Sequence, residues 1–471
     1  MRKTKIICTI GPACDNEATL TKMCEAGMNV ARLNFSHGTH ENHKEKIALI
    51  KRVREKLGLP IAIMLDTKGP EYRIKTFRDG KISLCDGDEF TFTTEDIVGN
   101  NEKVSVSYKG MISDLNVGDK ILLNNGLVHF EVEELCGNNA KCRVLIGGEL
   151  SNRKSMSFPG KVMKQEYLSL QDKKDIAFGI KNEVDYIACS FVSKKQDLID
   201  VQNYLTELNA ENTELIAKIE NQSGFDNIEE ICEACDGIMI ARGDMGVEIP
   251  FKMLPAIQKK LITKCRLLGK RVITATEMLE SMIKSPRPTR AEISDVANAV
   301  YDGTSAVMLS GETAMGKYPA LAVMNMAQIA KFTEERIDYK NWFMSTEFKI
   351  KNTLDAISHA TCAMAIDVNA KCIVVNSISG NTVRMVSRFR CPADIIGITT
   401  NKRAWRQLNL SWGVTPVMSE EYNSLDIVFF QGLNHAQRIF SLKSGDNVVL
   451  TGGMINGTSG NTNTIKVECV K

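Results

Sequence analysis

Apolar residues recur along the first two-thirds of the chain in short unbroken runs, each stopping abruptly at polar side chains. The runs cover residues 5–9, 29–34, 61–66, 186–190, 215–220, 237–241, 271–276 and 305–309. Runs this short that are apolar on both faces predict strands of a parallel sheet covered on both sides. Between most of them, apolar positions recur at helical spacing, over residues 41–57, 170–180, 196–208, 253–268 and 289–300. Eight strands alternating with helices predict a closed (β/α)8 TIM barrel, a fold that carries its chemistry at the C-terminal strand ends.

Polar residues gather at those ends: Arg32, Asn34 and Ser36; Asp66 and Lys68; Lys218 and Glu220; Arg242 and Asp244; Thr274 and Thr276; Ser310 and Glu312. Within each group the step is two, which on a strand puts the members on one face. Two carboxylates at one mouth suit a divalent cation, and the Lys and Arg beside them suit an anion. The plain alternative for any one group is a solvated rim in which Lys218 pairs with Glu220; the repetition at six strand ends favours a site.

The strand spacing breaks between Asp66 and Tyr186. Over residues 72–155 turn signals crowd in at Asp79-Gly80, Asp86-Gly87, Gly99-Asn100, Gly118-Asp119, Asn125-Gly126 and Gly137-Asn138. They separate short β-rich pieces at 89–93, 120–123 and 141–145, and predict an inserted small β-barrel that hangs over the mouth as a lid. After about residue 337 an α/β pattern restarts, with helices predicted at 354–366 and 382–389 and strands at 372–376 and 395–399. The predicted domains are therefore 1–70 with 156–338 (barrel), 71–155 (lid) and 339–471 (C-terminal α/β unit). In the last, Ser377, Ser379, Gly380, Asn381 and Thr382 form a strand-to-helix turn that reads either as an N-cap or as a phosphate cradle. The Gly-, Ser- and Thr-rich stretch 451–464 either closes over the same anion or is a loop before a last strand at 465–469.

Composition narrows this only slightly. A net charge of +2 in 471 residues gives no reason to expect nucleic acid or membrane as partner. No apolar run reaches membrane-spanning length, and the 14 scattered cysteines with no leader-like start predict a cytoplasmic protein. The lone Cys232–Cys235 pair reads as structural thiols. His37, His40 and His43 drift around a helix rather than forming a zinc site.

Several segments together resemble pyruvate kinase over essentially the whole length: Asn34-Phe35-Ser36-His37-Gly38, Asp66-Thr67-Lys68-Gly69-Pro70-Glu71, Lys218-Ile219-Glu220-Asn221, Ala241-Arg242-Gly243-Asp244-Met245-Gly246, and residues 275–314, which include Lys284-Ser285-Pro286-Arg287-Pro288-Thr289-Arg290 and Met308-Leu309-Ser310-Gly311-Glu312-Thr313. The resemblance implies transfer of the phosphoryl group of phosphoenolpyruvate to ADP, giving pyruvate and ATP in glycolysis. It implies Mg2+ (or Mn2+) on Glu220 and Asp244, and K+ near Asn34, Ser36, Asp66 and Thr67, with Glu71 the residue type that accompanies a K+ requirement. Lys218 is then expected against the transferring group, Arg32 and Arg73 on phosphate oxygens, and Asn34, His37, Arg73 and Lys154 around the nucleotide. Gly243, Asp244 and Thr276 are expected to bind the substrate carboxylate. Thr276 lies on the side where the proton arrives, through a water relay that includes Ser310 and Glu312. The resemblance also implies a homotetramer and a sugar or nucleotide monophosphate as possible effector at the Ser377–Thr382 turn, since the tail loop carries no Arg for a second phosphate. Tyr72, Ser155, Glu277 and Ser305 depart from the family pattern. Two other readings stay open here: a Mg2+-dependent lyase or aldolase that works through a pyruvate enolate without ADP, and a lapsed kinase that senses metabolites.

Overall fold

The structure is a computed structural model that describes residues 1–161, 163–453 and 462–471. Eight parallel strands close into a barrel: β1 (Lys5–Thr9), β2 (Val30–Asn34), β3 (Ala62–Asp66), β4 (Tyr186–Cys189), β5 (Glu214–Ile219), β6 (Gly237–Ala241), β7 (Arg271–Ala275) and β8 (Ala306–Leu309). Each strand pairs with its sequence neighbours and β1 closes against β8, in the register Lys5 to Ala306. The order follows from β-strand–helix–β-strand crossovers that can only step one way round.

Strand alternation divides the barrel residues into two cores. Ile6, Cys8, Leu33, Ile63, Ile187, Ile219, Ile240 and Val307 face outward into the helical layer, where they pack with Leu20, Ile50 and Ile262. Ile7, Val30, Met64, Ala188, Ile216, Met239, Ile273 and Met308 fill the interior. Leu410, from the C-terminal unit, joins that interior cluster and plugs the N-terminal end. This inward register decides which polar residues reach the mouth.

Between β3 and β4 the chain forms a seven-stranded sheet with a separate two-stranded ribbon. Its first and last strands, Tyr72–Arg73 and Lys103–Ser105, are joined by a bridge between Ile74 and Val106, so the sheet curls back on itself around Phe90, Phe92 and Phe130. The C-terminal unit has a five-stranded sheet: β9 (Cys372–Asn376), β10 (Asp394–Thr399), β11 (Val414–Met418), β12 (Asn447–Gly453) and β13 (Thr462–Cys469), in the order β11-β10-β9-β12-β13. All pairs are parallel except β12 with β13. The ends of the stretch expected to be a loop are therefore strand, with Gly452 opposite Thr464; its middle, 454–461, lies outside the described residues.

Partly buried ion pairs join the two units. Glu214, the first residue of β5, receives two bonds from Arg271 at 2.5 and 3.0 Å and a third from Arg384 of the C-terminal unit. Asp185 accepts from Arg406 at 2.7 Å. Lys3 reaches Asp394 at 2.9 Å. Serine at 305, one of the departures, accepts from Val272 N–H at 3.1 Å and from Arg390 at 2.9 Å, a hydroxyl role at the same seam.

Candidate active site

The inward register places Thr9, Arg32, Asp66, Ser190 and Lys218 at the top of the barrel, above Ile7, Val30, Met64, Ala188 and Ile216. They form one connected cluster. Arg32 Nε donates to Asp66 Oδ2 at 2.6 Å and Arg32 Nη1 to Thr9 Oγ1 at 2.9 Å. Lys218 Nζ donates to Asp66 Oδ1 at 3.0 Å and to Ser190 Oγ at 2.6 Å, and lies 3.1 Å from Glu220 Oε1. Thr9 and Ser190 were not singled out from sequence; counting in twos from the buried residues of β1 and β4 would have found both.

Burial alone would discharge Lys218, but Asp66 and Glu220 outweigh it and hold the ammonium above its ordinary value. Asp66 is likewise opposed by burial, and Arg32 with Lys218 keeps its carboxyl below the usual range. Glu220 goes the other way. It is fully buried, its Oε2 accepts Phe191 N–H at 2.6 Å, and its Oε1 makes the ion pair with Lys218 rather than a hydrogen bond of good geometry. Burial, with Asp244 and Asp66 adding to it against Lys218, pushes Glu220 up to about 7. Glu220 is thus a buried carboxylate at the end of β5 whose cationic neighbour, Lys218, is shared with Asp66.

Asp244 sits beside it in the first turn of the helix Arg242–Glu248, exposed to solvent. Among the described residues no three His, Cys, Asp or Glu side chains gather as a metal cage. A pair of carboxylates is nevertheless what Mg2+ needs when waters and substrate oxygens complete its shell.

Two expectations about the rim are corrected. Arg242 and Asp244 do not share a strand face, because β6 ends at Ala241 and the helix begins at Arg242. Arg242 turns away from the mouth, donating to Thr276 O at 2.6 Å and Asp295 Oδ1 at 2.8 Å, so it is not a free anion ligand. Thr274 lies on the outward register between Ile273 and Ala275, fully buried, with its hydroxyl 2.9 Å from Thr304 Oγ1.

Thr276 follows β7 with φ of +68°, and Glu277 with +53°. A β-branched residue in the left-handed region is strained, and such strain collects at working sites. Thr276 Oγ1 accepts Gly243 N–H at 2.8 Å and donates to Ala275 O at 2.6 Å, so the Gly243 amide expected to bind substrate is engaged with the hydroxyl expected to help it. Ser310 continues the inward register of β8; its hydroxyl is buried with no partner. Glu312 is fully buried and accepts from Ser310 N–H at 2.7 Å and Leu279 N–H at 3.0 Å.

The residues expected to hold K+ adjoin one another. Asn34 and Asp66 are register partners on β2 and β3. Asn34 Oδ1 accepts Ser36 N–H at 3.0 Å, and Thr67 Oγ1 accepts Ser190 N–H at 3.2 Å. The lid contributes Arg73, which donates to Arg153 O at 2.6 Å beside Lys154 and also pairs with Glu71. A cleft of about 290 Å3 separates lid from barrel, lined among others by Glu71, Arg73, Phe158, Asn221, Asp244 and Glu248. Tyr72, a further departure, packs edge-on against Phe158 in this cleft. His37 is exposed; its carbonyl accepts from His43 at 2.9 Å, while His40 pairs with Asp175 at 2.6 Å, so the three histidines have separate tasks.

In the C-terminal unit the turn after β9 leads into the helix Asn381–Ser387, whose N-cap is Gly380 in a left-handed conformation with no side-chain cap. Thr382 Oγ1 lies 2.6 Å from Thr462 Oγ1 on β13.

Comparison with known proteins agrees with this architecture. The family described as pyruvate kinase, barrel domain, matches residues 1–323, and pyruvate kinase, alpha/beta domain, matches 355–468. A pyruvate kinase of Staphylococcus epidermidis is 47% identical over 474 residues, covering 100% of this chain and 81% of that protein. One from Clostridium acetobutylicum is 44% identical over 473 residues, with 100% of both chains covered. The crystal structure of a pyruvate kinase from Cryptosporidium parvum superposes with a TM-score of 0.95 at 37% identity, covering 100% of this chain and 96% of that one. With the barrel, the curled lid and the α/β unit all matched in order, the chain belongs to the pyruvate kinase family of phosphotransferases.

Proposed function

We propose that the chain transfers the phosphoryl group of phosphoenolpyruvate to ADP, giving pyruvate and ATP, with Mg2+ (or Mn2+) and K+ as cofactors. The observation that carries this reading is the Arg32–Asp66–Lys218–Glu220 cluster: two buried cations and two buried carboxylates linked by ion pairs at one mouth. Phosphoryl transfer asks for alignment and charge neutralisation, which such a cluster supplies.

Glu220 and Asp244 fit a divalent cation because they are two carboxylates at one mouth, and Glu220 shares its cationic neighbour Lys218 with Asp66, which leaves its carboxyl raised. When bound, Mg2+ supplies Lewis-acid withdrawal of charge from the substrate oxygens. Asn34, Ser36, Asp66 and Thr67 offer the hard oxygens that K+ prefers, with Glu71 nearby on the lid hinge. Lys218, held charged by its neighbours, stabilises negative charge as the phosphoryl group leaves and the enolate forms. Arg32 is fixed by Asp66 and Thr9 so that part of its fork remains for a phosphate oxygen. Arg73, with Lys154, His37 and Asn34, faces the nucleotide side.

The substrate carboxylate is assigned to Gly243, Asp244 and Thr276, the Gly243 amide exchanging its bond to Thr276 Oγ1 for one to the carboxylate. Thr276 then passes the proton to the enolate carbon through water, with Ser310 and Glu312 ordering that water. A cytoplasmic homotetramer with domains at 1–70 and 156–338, 71–155 and 339–471 accompanies the reading. The strand-to-helix turn at Ser377, Ser379, Gly380, Asn381 and Thr382, ahead of the helix Asn381–Ser387, takes a sugar or nucleotide monophosphate.

The test is initial rates with phosphoenolpyruvate and ADP, with and without K+, across a panel of monophosphates. ADP-dependent pyruvate formation is expected. Pyruvate release without ADP, or none with it, would overturn the assignment.

A further inference from the structure

Arg242 is buried, with 7% of its surface exposed, and among the described residues it forms an ion pair with one carboxylate, that of Asp295. Its guanidinium spends most of its donors on the carbonyls of a single turn. Nε lies 3.3 Å from Ala275 O and 3.2 Å from Thr276 O, and Nη2 lies 2.6 Å from Thr276 O and 3.1 Å from Glu277 O. Nη1 donates to Asp295, on the helix Arg290–Asp302, at 2.8 Å, and approaches Gln258 Oε1 at 3.4 Å.

The turn so gripped is the strained one. Thr276 and Glu277 are consecutive left-handed residues without glycine. That conformation persists only where the surroundings over-determine it. The same dipeptide pins the turn from both sides: the Arg242 side chain holds its carbonyls, and the Gly243 N–H holds the Thr276 hydroxyl at 2.8 Å. On the far side, Glu312 fixes Leu279 N–H at 3.0 Å. A planar fork spans three neighbouring carbonyls and a carboxylate; an ammonium on a flexible stem does not.

We propose that Arg242, oriented by Asp295, is a positioning residue that sets the Thr276 hydroxyl for the proton-transfer half of the reaction. This rests on the role given to Thr276 above. Asp295 neutralises and aims the guanidinium, the guanidinium imposes the left-handed turn, and the turn turns Thr276 Oγ1 toward Gly243 and the mouth. Relaxed to an ordinary backbone conformation, Thr276 would swing its hydroxyl away while Lys218 and Glu220 stayed in place.

An enzyme that protonates the enolate must also remove a methyl proton from pyruvate, so exchange of the pyruvate methyl hydrogens in D2O, followed by proton NMR, reads this half alone. The full chain is compared with Arg242→Lys, Asp295→Asn, Thr276→Val and the double variant Arg242→Lys/Thr276→Val, with thermal unfolding recorded for each. Asp295 is the more exposed partner, so Asp295→Asn keeps the test alive if Arg242→Lys folds poorly. Arg242→Lys and Asp295→Asn are expected to slow exchange roughly 10- to 100-fold. The double variant is expected to be no slower than Thr276→Val alone, because residues acting through one group are not additive. If Thr276→Val slows exchange but Arg242→Lys and Asp295→Asn do not, or if the losses add in the double variant, the positioning role is overturned while the Thr276 role stands. If Thr276→Val leaves exchange unchanged, the Thr276 role itself fails and the proposal falls with it.

Discussion

Lys218 and Asp66 are 152 residues apart in the chain and 3.0 Å apart in the barrel. The lid insertion lies wholly between them, so the strand ends that carry them meet only because the barrel closes across it. Asp66 also binds Arg32 at 2.6 Å, which makes it the hub that links both cations at the mouth.

Lys218→Met removes the cation nearest the proposed reacting centre. The turnover number is expected to fall by more than about 100-fold, the order seen when one group stabilising developing charge is lost. Asp66 retains Arg32, so the KM for phosphoenolpyruvate should move far less than turnover. Steady-state kinetics check this, and near-normal turnover would contradict the role.

Glu220→Gln keeps the side chain's shape and removes its charge. The Mg2+ concentration giving half-maximal rate is expected to rise at least about tenfold, since a hard cation loses one of two protein carboxylates. Direct Mn2+ titration by water-proton relaxation separates weakened metal binding from slowed chemistry.

Potassium is expected to stimulate the rate, from Glu71 and the oxygen set at Asn34, Ser36, Asp66 and Thr67. Equal initial rates in Na+-only and K+ buffers of matched ionic strength would count against that site.

Glu214 predicts a pH-dependent seam. Burial acts to raise its carboxyl, but Arg271 and Arg384 outweigh burial and hold it below its ordinary value. A depressed carboxyl contributes stability that is present above the unfolded value of about 4.3 and is lost as pH falls through the folded value. Glu214→Gln leaves the buried Arg271 and the half-buried Arg384 without their carboxylate and is expected to cost about 3–5 kcal/mol at pH 7. The gap between wild type and variant should begin to narrow as pH falls below about 4.3 and close only once pH has passed below the depressed folded value. Urea unfolding at pH 7 and at a descending series of acid pH values measures both.

Gly69 marks how tightly the lid hinge meets the site. It has φ of +68°, and a Cβ there would stand 2.8 Å from Ser190 O and 2.9 Å from Ser190 Cβ. Gly69→Ala is therefore expected to displace Ser190, the partner of Lys218, and to lower both thermal stability and turnover, whereas Gly80→Ala, with φ of +78° but open space, carries backbone strain alone and should leave turnover unchanged.

Much of the fold was legible in the sequence. The apolar runs of β1 to β8 match the observed strands to within a residue or so at most ends, because burial on both faces leaves little choice of residue type. The carboxylates and Lys218 were legible for the same reason: charges directly abutting such runs are costly unless they work. Thr274 and Arg242 misled because a step of two says only that residues share a face, and not which face. The helical start at Arg242 and the left-handed turn at Thr276 also break the alternation that the step assumes.

The C-terminal unit shows the complementary limit. Strands β11 and β12 and the helix Leu425–Phe440 went unread, since Thr415, Pro416 and the Gly-rich end of β12 carry weak strand signals and gain their pairing from β9 and β10. Sequence alone thus determined the strand count of the barrel, the insertion, the second α/β unit and the residue types at the mouth, because burial and local propensity act over a few neighbouring positions. Only the tertiary structure decided which polar side chains point inward, that Ser190 and Thr9 join them, and that Arg242 braces Thr276. Those depend on the closed barrel's register and on contacts between residues far apart along the chain.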